Sequence, residues 1–154
     1  MQLRATTDYA IRAILFLTEE GRVCSSREIA EAMKIPRDYF IRLTKELRDA
    51  GLINAHPGRY GGYSLAQHPS KITLFDIVSA MEDMTNISGS LGKEDPCVHG
   101  EEHKCPLHLS YKLIREGFED SLRSITVEKL LGESDSLKEA CGGLLQPNEQ
   151  QELA

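Results

Sequence analysis

The stretch DPCVHGEEHKCPLH, residues 95–108, gathers two cysteines, Cys97 and Cys105, with three histidines, His99, His103 and His108. Thiolates and imidazoles are the soft and borderline donors that hold Zn²⁺ or iron–sulfur clusters. Seven residues separate the two cysteines, with Gly100 among them, so one loop can bring both to a single metal. His108 follows Cys105 with two residues between, a spacing at which both can face one metal at the start of a helix. A helix N-terminus also stabilises a thiolate or an anionic cluster through its dipole. The residues alone leave a cluster, Zn²⁺, a thiol–disulfide switch and an empty loop as alternatives.

Such a loop needs elements around it that could respond. From residue 6 to 20, TTDYAIRAILFLTEE places Ala10, Ile11, Ile14, Leu15 and Leu17 at helical spacing, and Gly21 stops the helix. SSREIAEAM starts a second helix, with Ser25 and Glu28 as a capping box and Ile29, Ala30 and Met33 as its apolar stripe. A third runs from about 36 to 50, with Pro36 in its first turn, Tyr39, Phe40, Leu43 and Leu47 inward, and Gly51 as terminator. LINAH and YSLAQ then flank PGRYGG, a hairpin with a glycine-rich tip over about 52–66. Helix, helix, short turn, helix and hairpin make a winged helix-turn-helix in a mainly α chain.

KITLFDIVSAMED reads as a fourth helix with Leu74, Ile77 and Val78 inward, closing a DNA-binding domain over 1–83. A sensor loop over 84–106 follows. A long amphipathic helix over 107–131 carries Leu109, Leu113, Phe118, Leu122 and Ile125 along one face. Pairing with a copy of itself would cover that face, so it is expected to be a dimerisation helix. Residues 132–154 are polar, with two adjacent glycines and a proline, and are expected to form a flexible tail.

The chain has 154 residues, about one domain. It lacks a run of about 18 apolar residues and a signal-peptide pattern at MQLRATTDYA, so a cytoplasmic protein without a membrane partner is expected. Structural disulfides are not expected there. Net charge is −6, which taken alone opposes nucleic-acid binding, but the distribution is uneven. Residues 1–66 carry ten Lys/Arg and eight Asp/Glu; residues 67–154 carry eight and sixteen. A slightly cationic first part and an acidic second part suit a DNA-binding end with the acid kept away from phosphate.

A helix-turn-helix sends the N-terminal residues of its second helix to base edges in the major groove. Here those are Arg37, Asp38, Ile41 and Arg42, with Lys45 and Arg48 further along the outer side. Ser25, Ser26 and Arg27 stand at a helix N-terminus, where a phosphate can be held. Arg59 at the wing tip is placed for a minor groove, and Gly58, Gly61 and Gly62 would allow close backbone approach. Double-stranded DNA is the expected partner. The rival from another class is a zinc-stabilised interaction module that never touches DNA. No phosphate loop, catalytic triad order or paired carboxylates appear, so no enzyme is expected.

LRATTDYAIRAILFL, SSREIAEAMKIPRDYF, LTKELRDAGLI, GRYGGYSLA and ITLFDIVSAME, followed by CPLH, resemble the bacterial Rrf-type regulators, a family with IscR-, NsrR- and CymR-type members. The resemblance covers about 1–131 and is most specific at the wing. It implies a homodimeric transcription regulator, a repressor, on a partly palindromic operator, with the long helices crossing and a sensor in the preceding loop. In several members that sensor is an iron–sulfur cluster, whereas CymR-type members lack one and respond through another protein. The chain departs from many relatives in reading Tyr39-Phe40-Ile41-Arg42 where they read Tyr-Leu-Glu-Gln, and in having two loop cysteines where cluster-binding relatives have three.

His108 matches the family's Cys-x-x-His, and Asp8 falls where some relatives place an acidic ligand from the opposite subunit. The implied ligand set is Cys97, Cys105 and His108, completed by Asp8 or by His99 or His103. Two thiolates with oxygen or nitrogen partners favour [2Fe–2S] over a cubane and raise the potential. Cys24 is expected to be a small semi-buried side chain, Cys141 to be without a role, and Tyr9 and Tyr39 to be packing residues.

Overall fold

In a computed structural model of the chain, residues 4–82 and 106–132 are described. They form six α-helices, a two-stranded antiparallel sheet and one 3-10 turn. The core draws on every one of the first four helices, on β1 and on a residue far down the chain, Val127.

Helix α1 (Ala5–Glu20) buries Ala10, Ala13, Ile14 and Leu17, the i, i+3, i+4, i+7 stripe of a core-facing helix. Gly21 ends it in the left-handed region, φ 61°, and donates to the Leu17 carbonyl. The expected capping box opens α2 (Ser26–Ala32): Glu28 N–H donates to Ser25 Oγ at 3.2 Å, and Ser25 N–H to Glu28 Oε2 at 2.8 Å. Helix α3 (Arg37–Asp49) follows with Pro36 as N-cap and buries Phe40, Leu43, Thr44 and Leu47. At its end Gly51 donates to Arg48 and Leu52 to Leu47, with Gly51 at φ 71°, the paired bonds of a Schellman motif. Tyr39 departs from expectation. It is 44% exposed, and its ring meets Tyr9 of α1 edge-on, centroids 5.6 Å apart.

Strands β1 (Ile53–His56) and β2 (Gly62–Leu65) pair Ile53 with Leu65 and His56 with Gly62. Cys24 adds an isolated bridge to Tyr63 on the open edge of β2, with N···O distances of 2.9 and 2.8 Å. After a 3-10 turn (Pro69–Lys71), helix α4 (Leu74–Met81) starts at a second capping box, Thr73 with Asp76. It begins later than the apolar pattern suggested. Ile77, Val78 and Met81 are buried, and Leu74 is half-buried.

The segment expected as one helix over 107–131 is two. Helix α5 (Pro106–Ser124) and α6 (Val127–Gly132) are separated where Thr126 bridges Thr73. Leu74 N–H donates to the Ile125 carbonyl and Val127 N–H to the Ile72 carbonyl, both at 2.9 Å. Two inter-segment bonds replace helical ones there, and Val127, fully buried, joins the core of the winged domain. Arg123 lies over the Phe75 ring at 3.4 Å. On α5 the expected face divides: Leu109 and Leu113 are exposed, as are Tyr111 and Ile114, while Phe118, Leu122 and Ile125 are partly covered. Among the described residues, no helix is long and apolar enough to cross a membrane.

The start of α1 is clamped to the end of α4. Glu82 accepts from Arg4 N–H at 2.9 Å, from Arg4 Nε at 2.8 Å and from Thr7 Oγ1, and Arg4 also donates to the Met81 carbonyl. Burial alone would raise the Glu82 carboxyl, but the bonds from Thr7 and Arg4 outweigh it and hold the group below its ordinary value. A depressed carboxylate contributes stability above its unfolded pKa and loses it as pH falls through the folded value. Glu82→Gln is therefore expected to lower stability by about 1 kcal/mol at pH 7. The gap to wild type should narrow in urea unfolding as pH falls below the ordinary carboxylate range.

Candidate nucleic-acid interface and sensor elements

The outer side of α3 and the start of α2 enclose an open groove of about 750 Å³. Ser26 and Arg27 come from α2; Arg37, Ile41, Lys45 and Arg48 come from α3; Tyr63 comes from the wing. The spacing 37, 41, 45, 48 repeats by three or four, so these side chains share one face of the helix. Among the described residues no carboxylate pairs with Arg37 or Lys45. Arg27 is paired with Glu31 at 2.7 Å on the surface, a contact of little net worth that phosphate can displace.

Several expected residues stand elsewhere. Arg42 is one position round the helix from the groove and is held by Glu46 at 3.0 Å. Asp38 occupies the first turn of α3, where its charge suits the helix dipole, and does not line the groove. Ser25 uses its hydroxyl to cap α2. Lys45 and Arg48, noted from sequence only as outward-facing, belong to the groove face beside Ile41, which the sequence already places among the base-facing residues; so does Tyr63. The three-and-four spacing was the available signal for Lys45 and Arg48. Tyr63 had none, since only the strand pairing turns it toward α3, where its ring meets Phe40 edge-on at 5.9 Å.

The capping box has an electrostatic consequence. The Ser25 N–H, the Arg22 guanidinium and the Ser25 hydroxyl all favour the ionised Glu28, which is held down to about 2. That carboxylate secures the N-terminus of α2 at the edge of the groove.

The wing tip carries Arg59 over the Tyr60 ring, 5.8 Å from its centroid, and Tyr60 is 89% exposed. Gly61 and Gly62 have a reason inside the protein: a Cβ at Gly61 would overlap the His56 carbonyl, and one at Gly62 the Cys24 carbonyl. Cys24 is fully buried beneath this contact, not semi-buried, and burial raises its thiol pKa, so it has little thiolate character.

Of the expected metal ligands, Cys97, His99, His103 and Cys105 lie outside the described residues, and His108 is known by its backbone in the first turn of α5. Asp8 is exposed on the first turn of α1, paired with Arg12 at 2.6 Å. Arg12 also lies over Tyr9, 5.6 Å from the ring centroid, and Tyr9 is the residue that meets Tyr39 of α3. Among the described residues no three His, Cys, Asp or Glu side chains converge as a metal site.

Residues 3–133 match the family model described as "Rrf2: Iron-dependent Transcriptional regulator". The chain is 30% identical over 115 residues to the HTH-type transcriptional regulator NsrR of Shouchella clausii, covering 73% of this chain and 72% of that one. It is similar in structure to CymR, the global cysteine regulator of B. subtilis, with 26% identity, a TM-score of 0.64 and coverage of 84% of this chain and 95% of that one. It also matches the fold of T. potens IscR, with 24% identity, a TM-score of 0.67 and coverage of 90% and 91%.

The overlap at Gly62 makes a specific expectation. Gly62→Ala must part β2 from residue 24, so the Cys24 and Tyr63 amides should exchange with solvent faster and stability should drop by more than about 1 kcal/mol. Unchanged exchange at both amides would show that the bridge tolerates a Cβ.

Proposed function

The chain belongs to the Rrf2 family of transcriptional regulators, and from that premise we propose that it is a cytoplasmic, homodimeric repressor that binds a partly palindromic operator in double-stranded DNA and senses through the 97–108 loop. The observation that carries the DNA reading is the groove that Arg27, Arg37, Lys45 and Arg48 line together, in a domain whose wing tip carries Arg59. A helix in the major groove flanked by a cationic wing has both base-edge and phosphate contacts to offer. Arg37 is assigned to base edges in the major groove, Ser26, Arg27, Lys45 and Arg48 to phosphate, and Arg59 to the minor groove. Ser25 caps α2 and Gly61 lets the wing close, so these two support the positions of the contacting residues, while Asp38 and Arg42 stand off the groove.

Dimerisation is supported by α5, whose first half leaves Leu109, Tyr111, Leu113 and Ile114 in water. Leu109 and Leu113, four residues apart, share one face of the helix, and large apolar groups exposed together in this way suit an interface. Two recognition helices then face half-sites roughly one helical turn apart.

The donor set of the loop fits an iron–sulfur group: two thiolates, Cys97 and Cys105, with His108 in a helix's first turn and Asp8, His99 or His103 to complete it. Two thiolates match [2Fe–2S], which when bound would supply a redox-active, anionic centre near the start of α5. Asp8 connects such a centre to DNA through this chain's own contacts. Arg12 is shared between Asp8 and the Tyr9 ring, and Tyr9 rests on Tyr39 two residues beyond the start of α3. A displacement of α1's first turn is thus felt at the recognition helix.

A second reading has one observation in its favour. The loop holds only two cysteines, and a solved relative is described as a cysteine regulator. In that case the loop carries Zn²⁺ or no metal, and the signal is thiol oxidation or a partner protein.

Protein purified without oxygen is expected to be coloured, with iron and sulfide in near-equal amounts that both Cys97→Ala and Cys105→Ala abolish. Zinc alone would make the loop structural, and metal-free protein would favour the thiol or partner reading. Equal operator affinity with and without iron would sink the sensing mechanism. Duplex binding should fall steeply with salt. Arg37→Ala should lose tenfold or more on an operator selected from a random pool, while Lys45→Ala or Arg27→Ala should weaken all duplexes alike.

A further inference from the structure

We propose that Ile41 reads the 5-methyl group of thymine at one position of each half-site, so that it is a specificity-determining residue of this regulator. The inference rests on the DNA-binding reading above.

Isolated exposed apolar side chains are ordinary on protein surfaces. Ile41 is set apart by its place. It is 61% exposed, the most exposed large apolar residue of α3. It stands one turn beyond Arg37 and one turn before Lys45 on the groove face. A β-branched residue gains nothing from helix propensity at an exposed site, and no core contact offsets that. On a groove face whose other projecting groups are mostly charged or polar, an apolar branch suits an apolar partner offered by a polyanion. In the major groove the base-edge group of that kind is the thymine methyl; the other edges present hydrogen-bond donors and acceptors that Ile41 cannot answer.

Position supports the same assignment. The first two turns of the second helix in a helix-turn-helix are the ones that meet base edges. Arg37 at the start of α3 can bond a guanine, and Ile41 lies one turn, about 5.4 Å, further along the helix. The phosphate contacts from Arg27, Lys45 and Arg48 would set the register but leave the base at this position undetermined. A methyl contact supplies the discrimination that charge does not.

The test uses the full-length protein, purified without oxygen, and a duplex it selects from a random pool. Each thymine is replaced in turn by deoxyuridine, which removes one methyl and leaves every hydrogen-bonding group. At one symmetry-related thymine the wild type is expected to lose about fourfold in affinity per half-site, the worth of one buried methyl-sized group. Ile41→Ala should bind the thymine and deoxyuridine duplexes equally, with Ile41→Val keeping part of the difference. The wild-type measurement needs no variant and stands if one fails to fold. Wild-type indifference to every deoxyuridine replacement, or an Ile41→Ala protein as sensitive as wild type, would overturn the assignment while leaving DNA binding intact. Failure to select any duplex would overturn both.

Discussion

The short antiparallel contact between residues 72–74 and 125–127 constrains most of what this chain can do. Its two backbone bonds at 2.9 Å end α5 one turn before the apolar pattern ends. They also swing α6 back so that Val127 fills a place among Ile72, Ile77 and the α1 stripe. Helix α5 is thereby rooted in the domain that carries α3. With Arg123 over Phe75 adding a second hold, the covered half of α5 is fixed to α4 and its first half projects with Leu109, Leu113 and Ile114 uncovered. A partner seated on that half would bear on α4 and the core it packs against.

The groove depends on a different kind of constraint. Its cations cluster without a compensating core, so they are kept in place by what lies beneath: Phe40, Leu43 and Leu47 anchoring α3, and Tyr63 bracing the wing against Phe40. The wing itself closes only because Gly61 and Gly62 lack side chains at two backbone crossings. The overall acidity of the chain does not oppose a nucleic-acid face, because charges beyond about a Debye length are screened and the local field is set by Arg27, Arg37, Lys45 and Arg48.

Around the first turn of α1, two networks meet. Arg4 and Thr7 hold Glu82 at the end of α4, and Asp8 and Arg12 reach Tyr9 and through it Tyr39. One turn of helix therefore touches both the end of α4 and the first turn of α3. The ion pair at Asp8 is exposed and weak on its own. Its importance lies in location, at the point where a ligand competing for that carboxylate would act on both networks.

Local rules were legible in the sequence. Ser25 with Glu28, Gly21, Gly51 and the glycine-rich hairpin each act within a few residues, through caps and backbone angles that neighbouring residue types determine. The winged helix-turn-helix and its cationic helix followed from those, as did the choice of Arg37. Which outward residues share a surface was decided by tertiary structure. Arg42 and Lys45 look alike in the text, yet one pairs with Glu46 and the other enters the groove, because the azimuth of α3 is set by burying Phe40 and Leu47. Tyr39 read as core and is instead a contact for Tyr9. The break at Thr126 had only a weak local signal, a threonine whose hydroxyl accepts from Lys129 N–H at 3.2 Å; the competing backbone bonds come from Ile72 and Leu74, distant in sequence. Propensity and capping act along the chain; exposure and long-range pairing depend on which elements pack against each other.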